Sequence, residues 1–264
     1  LVVGNQTMPG VALEPRLREL RNAGRKILVP YVTGGVPGWT DAIHTAVANG
    51  ADAVEVGLPF SDPVMDGLVI QRASTIALGS GATVNAILDG VCDLDVDVPL
   101  VVMCYYNTVF RAGHARFAHQ VRAAGVKGVI VPDLPLEESG EWCAAADDAG
   151  LATVMLAAPT APDERLPRIA ARARGFVYAV GLLGVTGERE TLATSALTIA
   201  RRVKAVTDVP VLIGVGVSDA IQAREACTVA DGVIQGAAIM RRLLDEGVDS
   251  VGAFVAEVRR AIDE

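Results

Sequence analysis

Residues 53–67 read Ala-Val-Glu-Val-Gly-Leu-Pro-Phe-Ser-Asp-Pro-Val-Met-Asp-Gly. A short apolar run delivers one carboxylate, Glu55, then breaks into a Pro- and Gly-marked loop carrying two more, Asp62 and Asp66. An ionised carboxylate in mid-strand costs free energy unless it is paired or opens onto a site. In apolar surroundings its pKa rises, which suits acid–base work near neutral pH. The same segment also fits a Glu on a solvent face or in a structural ion pair, so the rest of the chain must decide.

Two Gly-containing turns carry a second chemistry: Ile213-Gly-Val-Gly-Val-Ser218 and Ile234-Gln-Gly-Ala-Ala238. Glycine lets backbone N–H groups approach an anion closely, and a helix beginning just after such a turn adds its N-terminal dipole. Residues 237–244 are placed to be that helix. A third Gly-rich stretch, residues 181–190, is either an ordinary turn or a lid that closes over substrate and excludes water. The three histidines, His44, His114 and His119, form no metal-ligand spacing, and no metal is implied. The four cysteines, Cys92, Cys104, Cys143 and Cys227, lack any C-x-x-C spacing and read as buried small hydrophobes in a reducing compartment.

These residues need elements to hold them. Short β-rich runs recur at 27–33, 53–57, 100–106, 128–132, 153–157, 176–180, 211–215 and 232–235. Their near-continuous aliphatic character fits strands buried on both faces of a parallel sheet. Amphipathic stretches at 40–49, 115–124 and 138–149 each end in glycine, the expected helix stop. Eight such β/α units predict an α/β fold, a single (β/α)8 TIM barrel over residues 1–264. Residues 11–22 form an extra N-terminal helix that can cap the barrel floor. In such a barrel the chemistry sits at the C-terminal strand ends. On this reading Glu55 ends strand two, Tyr105, Tyr106 and Asn107 end strand three, and Asp133 ends strand four. Tyr178 lies on strand six, and the two glycine turns follow strands seven and eight.

The net charge of −8 argues against nucleic acid and anionic membranes as partners. With 51% hydrophobic and 20% charged residues, the chain can bury a large core. No run approaches the length of a membrane span and no signal-peptide pattern opens the chain, so the expectation is a soluble, cytoplasmic protein.

The motifs together resemble the tryptophan synthase α subunit family. The resemblance runs from the first strand to the last helix. It rests on Val29-Pro-Tyr-Val-Thr-Gly-Gly35, the run from Glu55 to Gly67, Tyr106-Asn107, Val131-Pro-Asp-Leu-Pro-Leu-Glu-Glu138, Gly184-Val-Thr-Gly187 and Gly214-Val-Gly-Val-Ser218. It implies retro-aldol cleavage of indole-3-glycerol phosphate to indole and glyceraldehyde 3-phosphate, with no cofactor on this chain. By position, Glu55 resembles the general acid–base and Asp66 the partner of the indole N–H. Tyr178 matches the tyrosine beside the catalytic Glu, and Thr186 the lid threonine that meets the catalytic Asp. Gly187, Gly216, Gly236 and Ala237 match phosphate-holding backbone positions; Tyr31, Tyr105, Leu156 and Val215 match the indole pocket. The resemblance also implies a pyridoxal-phosphate-bearing β subunit, contacted through Asp62, Pro63 and Asn107 in an α2β2 assembly.

Departures from the family pattern are Val36 for a common Asp, Leu182 for a basic lid residue in some members, and Ala237 for a frequent Ser. The last removes one hydrogen bond to phosphate, about 1 kcal/mol. A ring-closing indole-glycerol phosphate synthase would need a Lys general acid, and Lys26, Lys127 and Lys204 do not end strands. A non-catalytic subunit that binds ligand only to activate a partner is the alternative of a different class.

Overall fold

The computed structural model describes residues 12–181, 194–214 and 216–264. Its eight parallel strands are β1 (Ile27–Thr33), β2 (Val54–Gly57), β3 (Leu100–Met103), β4 (Gly128–Ile130), β5 (Ala152–Ala157), β6 (Val177–Ala179), β7 (Val211–Ile213) and β8 (Gly232–Gln235). Each pairs with its neighbour in sequence, and β8 returns to β1 with Ile27 opposite Gly232, closing the barrel. All seven residues of β1 are buried, as a strand covered on both faces requires.

Strand alternation sorts the aliphatic residues into two cores. Ile27, Val29, Ala53, Val101, Ile130, Val154, Phe176, Leu212 and Ile234 pack inside the barrel. Their neighbours Leu28, Val54, Val102, Val129, Met155, Val177, Val211 and Val233 pack outward against the helices. The floor is closed as expected by the helix Leu13–Asn22, whose Leu13, Leu17 and Leu20 join the inner core. Arg18 latches this helix to the turn before β7 through Asp208 at 2.6 Å. The helix stops also hold, with Gly50, Gly125 and Gly150 at φ of +102°, +88° and +70°.

Several boundaries differ from the sequence reading. β3 ends at Met103, and Tyr106 and Asn107 open the helix Tyr106–Ala112. The Tyr106 N–H donates to Asp133 Oδ1 at 2.8 Å, so a carboxylate from the next loop serves that helix start. β4 ends at Ile130, leaving Asp133 in the turn beyond it. β6 is shorter at both ends than 176–180. The stretch 138–149 divides into a short 3₁₀ turn, Leu136–Glu138, and the helix Gly140–Asp148. Cys92 is exposed, unlike Cys104, Cys143 and Cys227, because it ends the helix Val84–Cys92 on its solvent side. Among the described residues no single helix is long and apolar enough to cross a membrane.

The floor yields a direct stability test. Leu17 is fully buried, so Leu17→Ala is expected to destabilise the fold by about 2–5 kcal/mol. Arg16→Ala, at a solvent-facing pair with Glu19, should change it by less than about 0.5 kcal/mol. Urea unfolding of both variants decides; equal midpoints would remove the floor helix from the core.

Candidate functional site

The closed floor leaves one end of the barrel open, and a cavity of about 540 Å³ occupies it. Glu55 projects into this space from β2, level with Tyr31 on β1 and Val101 on β3. It is 1% exposed, and its Oε2 has no hydrogen-bond partner. Burial, followed by the nearby negative charge of Asp66, pushes its carboxyl up from 4.5 to about 8. An ion pair is therefore not what holds Glu55, and the solvent-face reading fails as well.

Asp66 reaches the same cavity from the loop after β2. Burial pushes its carboxyl up to about 6, while the hydroxyl of Tyr105 pulls the other way. Tyr105 Oη donates to Asp66 Oδ2 at 3.1 Å and accepts from the Met65 N–H at 3.0 Å. One phenol thus ties the loop backbone and its carboxylate to the end of β3. The ring of Phe60 stacks on Tyr105 at 4.9 Å and holds it in place. From sequence Tyr105 has only a pocket-lining role, because nothing local announces its contact with the loop after β2.

Tyr31 and Tyr178 complete the wall beside Glu55. Burial holds both phenols neutral, and Tyr31 Oη accepts from Thr33 Oγ1 at 3.2 Å. Each ring depends on a missing side chain. A Cβ on Gly57 would stand 2.0 Å from Tyr31 Oη, and one on Gly214 would stand 2.0 Å from Tyr178 Cζ. Gly214, expected only in an anion turn, is required first by the tyrosine ring. Leu156 lies level with Tyr178 and lines the pocket as expected.

The turns after β7 and β8 meet at the same cavity, bringing together Gly216, Gly236 and Ala237. Gly216 has φ of +88°, which L side chains rarely adopt. The Ser218 N–H donates to Gln222 Oε1 at 2.7 Å, latching the β7 turn to the helix Ala220–Cys227. The helix Ala237–Asp245 begins at the cavity with no side-chain cap, so its first N–H groups suit an anion. Val36 is buried among apolar neighbours, where an ionised Asp would be costly.

Asp62, Pro63 and Asn107 lie outside the cavity, the first two on the loop after β2 and Asn107 in the first turn of the helix Tyr106–Ala112; Asp62 and Asn107 are exposed. Thr186, Gly187, Val215, Leu182 and the stretch 182–190 lie outside the described residues. The three lysines sit at the opposite end. Lys26 and Lys127 immediately precede β1 and β4, and Lys204 pairs with Asp231 ahead of β8. Among the described residues no three His, Cys, Asp or Glu side chains cluster to hold a metal ion.

Comparisons with known proteins converge on one family. The model of the family described as tryptophan synthase alpha chain matches residues 17–260. The tryptophan synthase alpha chain of Streptomyces coelicolor is 42% identical, over 95% of this chain and 96% of its own length. That of Picosynechococcus sp. is 41% identical, over 95% and 99%. Among solved structures, Mycobacterium tuberculosis tryptophan synthase superposes with a TM-score of 0.89 at 38% identity, covering 96% of this chain and 98% of that one. The alpha subunit of Legionella pneumophila gives 0.86 at 31%, covering 95% and 98%.

The buried carboxyl makes a signed prediction. Between about pH 4.5 and about pH 8 the folded chain keeps a proton on Glu55 that the unfolded chain has released, so stability falls as pH rises through that window. Glu55→Gln removes the titration. Its Tm should be close to wild type at about pH 5 and increasingly higher by about pH 9. A Tm difference that does not change with pH would mean that Glu55 ionises normally.

Proposed function

The chain belongs to the tryptophan synthase α chain family, which cleaves indole-3-glycerol phosphate, and we propose that Glu55 and Asp66 divide the charge and proton work of that cleavage. It is a carbon–carbon lyase, acting late in tryptophan biosynthesis and releasing indole and glyceraldehyde 3-phosphate. The observation that carries the division is the contrast between the two carboxyl groups. Glu55, pushed to about 8, holds a proton at neutral pH; Asp66, near 6, is largely ionised there.

The chemistry needs that contrast. C3 of the indole ring must gain a proton before the ring can leave as a neutral arene. Glu55 supplies it, and the ring becomes an indolenine whose N–H carries positive charge. The Asp66 carboxylate, steadied by Tyr105, stabilises that cation. Glu55, now ionised, takes the proton of the glycerol hydroxyl. The carbon–carbon bond then breaks, its electrons return to the ring, and the hydroxyl carbon becomes the aldehyde. The hydroxyl proton replaces the one Glu55 gave to C3, so the cycle closes with no net proton change.

Tyr31, Tyr105, Leu156 and Tyr178 line the slot for the indole ring, with Val215 a further member by family position. Gly216, Gly236 and Ala237, together with Gly187, hold the phosphate through backbone N–H groups. Thr186 is assigned to the substrate site by family position alone. Ala237 offers no hydroxyl, so backbone donors carry the phosphate.

The family assignment implies a β-subunit partner. Asp62, Pro63 and Asn107 belong to the contacting face, in an α2β2 assembly whose β chain carries pyridoxal phosphate. An exposed apolar group supports that placement: Val64, Met65 and Leu68 follow β2 and Phe110 follows β3, and Met65 also lines the cavity. The whole chain, 1–264, acts as one barrel domain in this reading, in the cytoplasm.

Glu55→Gln tests the assignment. Turnover of indole-3-glycerol phosphate is expected to fall on the order of 10²- to 10⁴-fold while calorimetric binding of the substrate persists. Turnover within about tenfold of wild type would take the acid–base role from Glu55 and favour a subunit that only binds ligand.

A further inference from the structure

The cavity does not stop at the inner face of the barrel. Val154 and Leu156 of β5 point inward, but Thr153 and Met155, which alternate with them, face the helical layer and line the same space. The volume therefore continues around the end of β5 into a second chamber. Its walls are Leu136 and Trp142 from the β4 side, Met155 from the strand, and Ile169 from the helix Leu166–Arg172. The substrate chemistry described above uses none of these residues.

Two polar atoms in this chamber have no partner. Thr153 is 1% exposed, and its Oγ1 makes no hydrogen bond. Arg165 Nε is buried without an acceptor, although the same side chain pairs with Glu137 through Nη2 at 2.6 Å. Arg168 also approaches Glu137, at 3.5 Å, so two guanidinium groups share one carboxylate and one positive charge among the three is left over. A buried hydroxyl and a buried guanidinium N–H without partners cost free energy in an apolar wall unless something else completes them.

We propose that this chamber is a second ligand site, taking a flat aromatic carboxylate with an O–H or ring N–H at its far end. The aromatic body fits against Trp142, Met155 and Ile169. The carboxylate accepts from Arg165 Nε and meets the positive charge of that guanidinium. The distal O–H or N–H donates to Thr153 Oγ1, which is free to accept. The inference does not rest on the lyase reading, because its residues face away from Glu55 and Asp66.

The protein supplies its own reporter, since Trp142 is one of only two tryptophans and Trp39→Phe leaves it alone. The probe is 4-hydroxybenzoate, titrated into Trp39→Phe protein with excitation at the red edge of indole absorption. Saturable quenching is expected. Thr153→Val and Arg165→Met, added separately, should each weaken binding about fivefold or more, the loss of one hydrogen bond or charge contact. Leu156→Phe, which narrows the barrel-side slot, should leave the affinity unchanged. No saturable quenching would mean that water alone completes Thr153 and Arg165, and the proposal falls. Quenching lost in Leu156→Phe but kept in both chamber variants would place the probe in the substrate slot, and the proposal falls equally.

Discussion

Burying an ionisable carboxyl group is the constraint on which the rest of this structure depends. Glu55 sits on a central strand, out of water, with an unpartnered oxygen and a second carboxylate nearby. Such a group keeps its proton at a pH where most carboxylates have lost theirs, and it does so only while the surroundings stay dry and rigid. The closed barrel, the floor helix and the inner layer of Ile, Val, Leu and Phe supply that dryness from below. Tyr31 and Tyr178 supply it from the sides, and each fits only because a glycine opposite leaves room for its ring. The cost in stability is local and is offset by a core of aliphatic strands packed on both faces.

Asp66 answers the same constraint differently. It comes from a loop, retains some access to solvent, and accepts a hydrogen bond from Tyr105, so it ionises more readily than Glu55. The charge of Asp66 in turn raises the pKa of Glu55. Placing one on a strand and the other on the following loop separates their environments within a few residues of chain. Tyr105, just beyond the neighbouring strand β3, makes that separation stable.

Much of this was legible in the sequence, for physical reasons that differ between elements. β1 and β8 fall where continuous aliphatic runs place them, because both begin and end against turn residues. The floor helix shows in its Leu13, Leu17 and Leu20 spacing. Glu55 and Asp66 could be singled out because polar residues in an apolar strand and its glycine-marked loop are uncommon enough to notice. The misses are non-local. Tyr106 has the composition of a strand end, yet Asp133 from another loop accepts its N–H and a helix begins there. Gly214 looks like an anion turn, yet the ring of Tyr178 from the adjacent strand demands it. The chamber behind β5 arises where helices and wall fail to close, and no single segment encodes that.

A direct titration of the Glu55 carboxyl speaks most plainly to the central claim. Infrared difference spectra of wild type against Glu55→Gln, collected across pH, isolate that one group. The account predicts a midpoint near 8, moving lower in Asp66→Asn as the neighbouring charge is removed. A midpoint near 4.5, unmoved by Asp66→Asn, would show an ordinary ionised carboxylate and contradict the division of labour between the two residues.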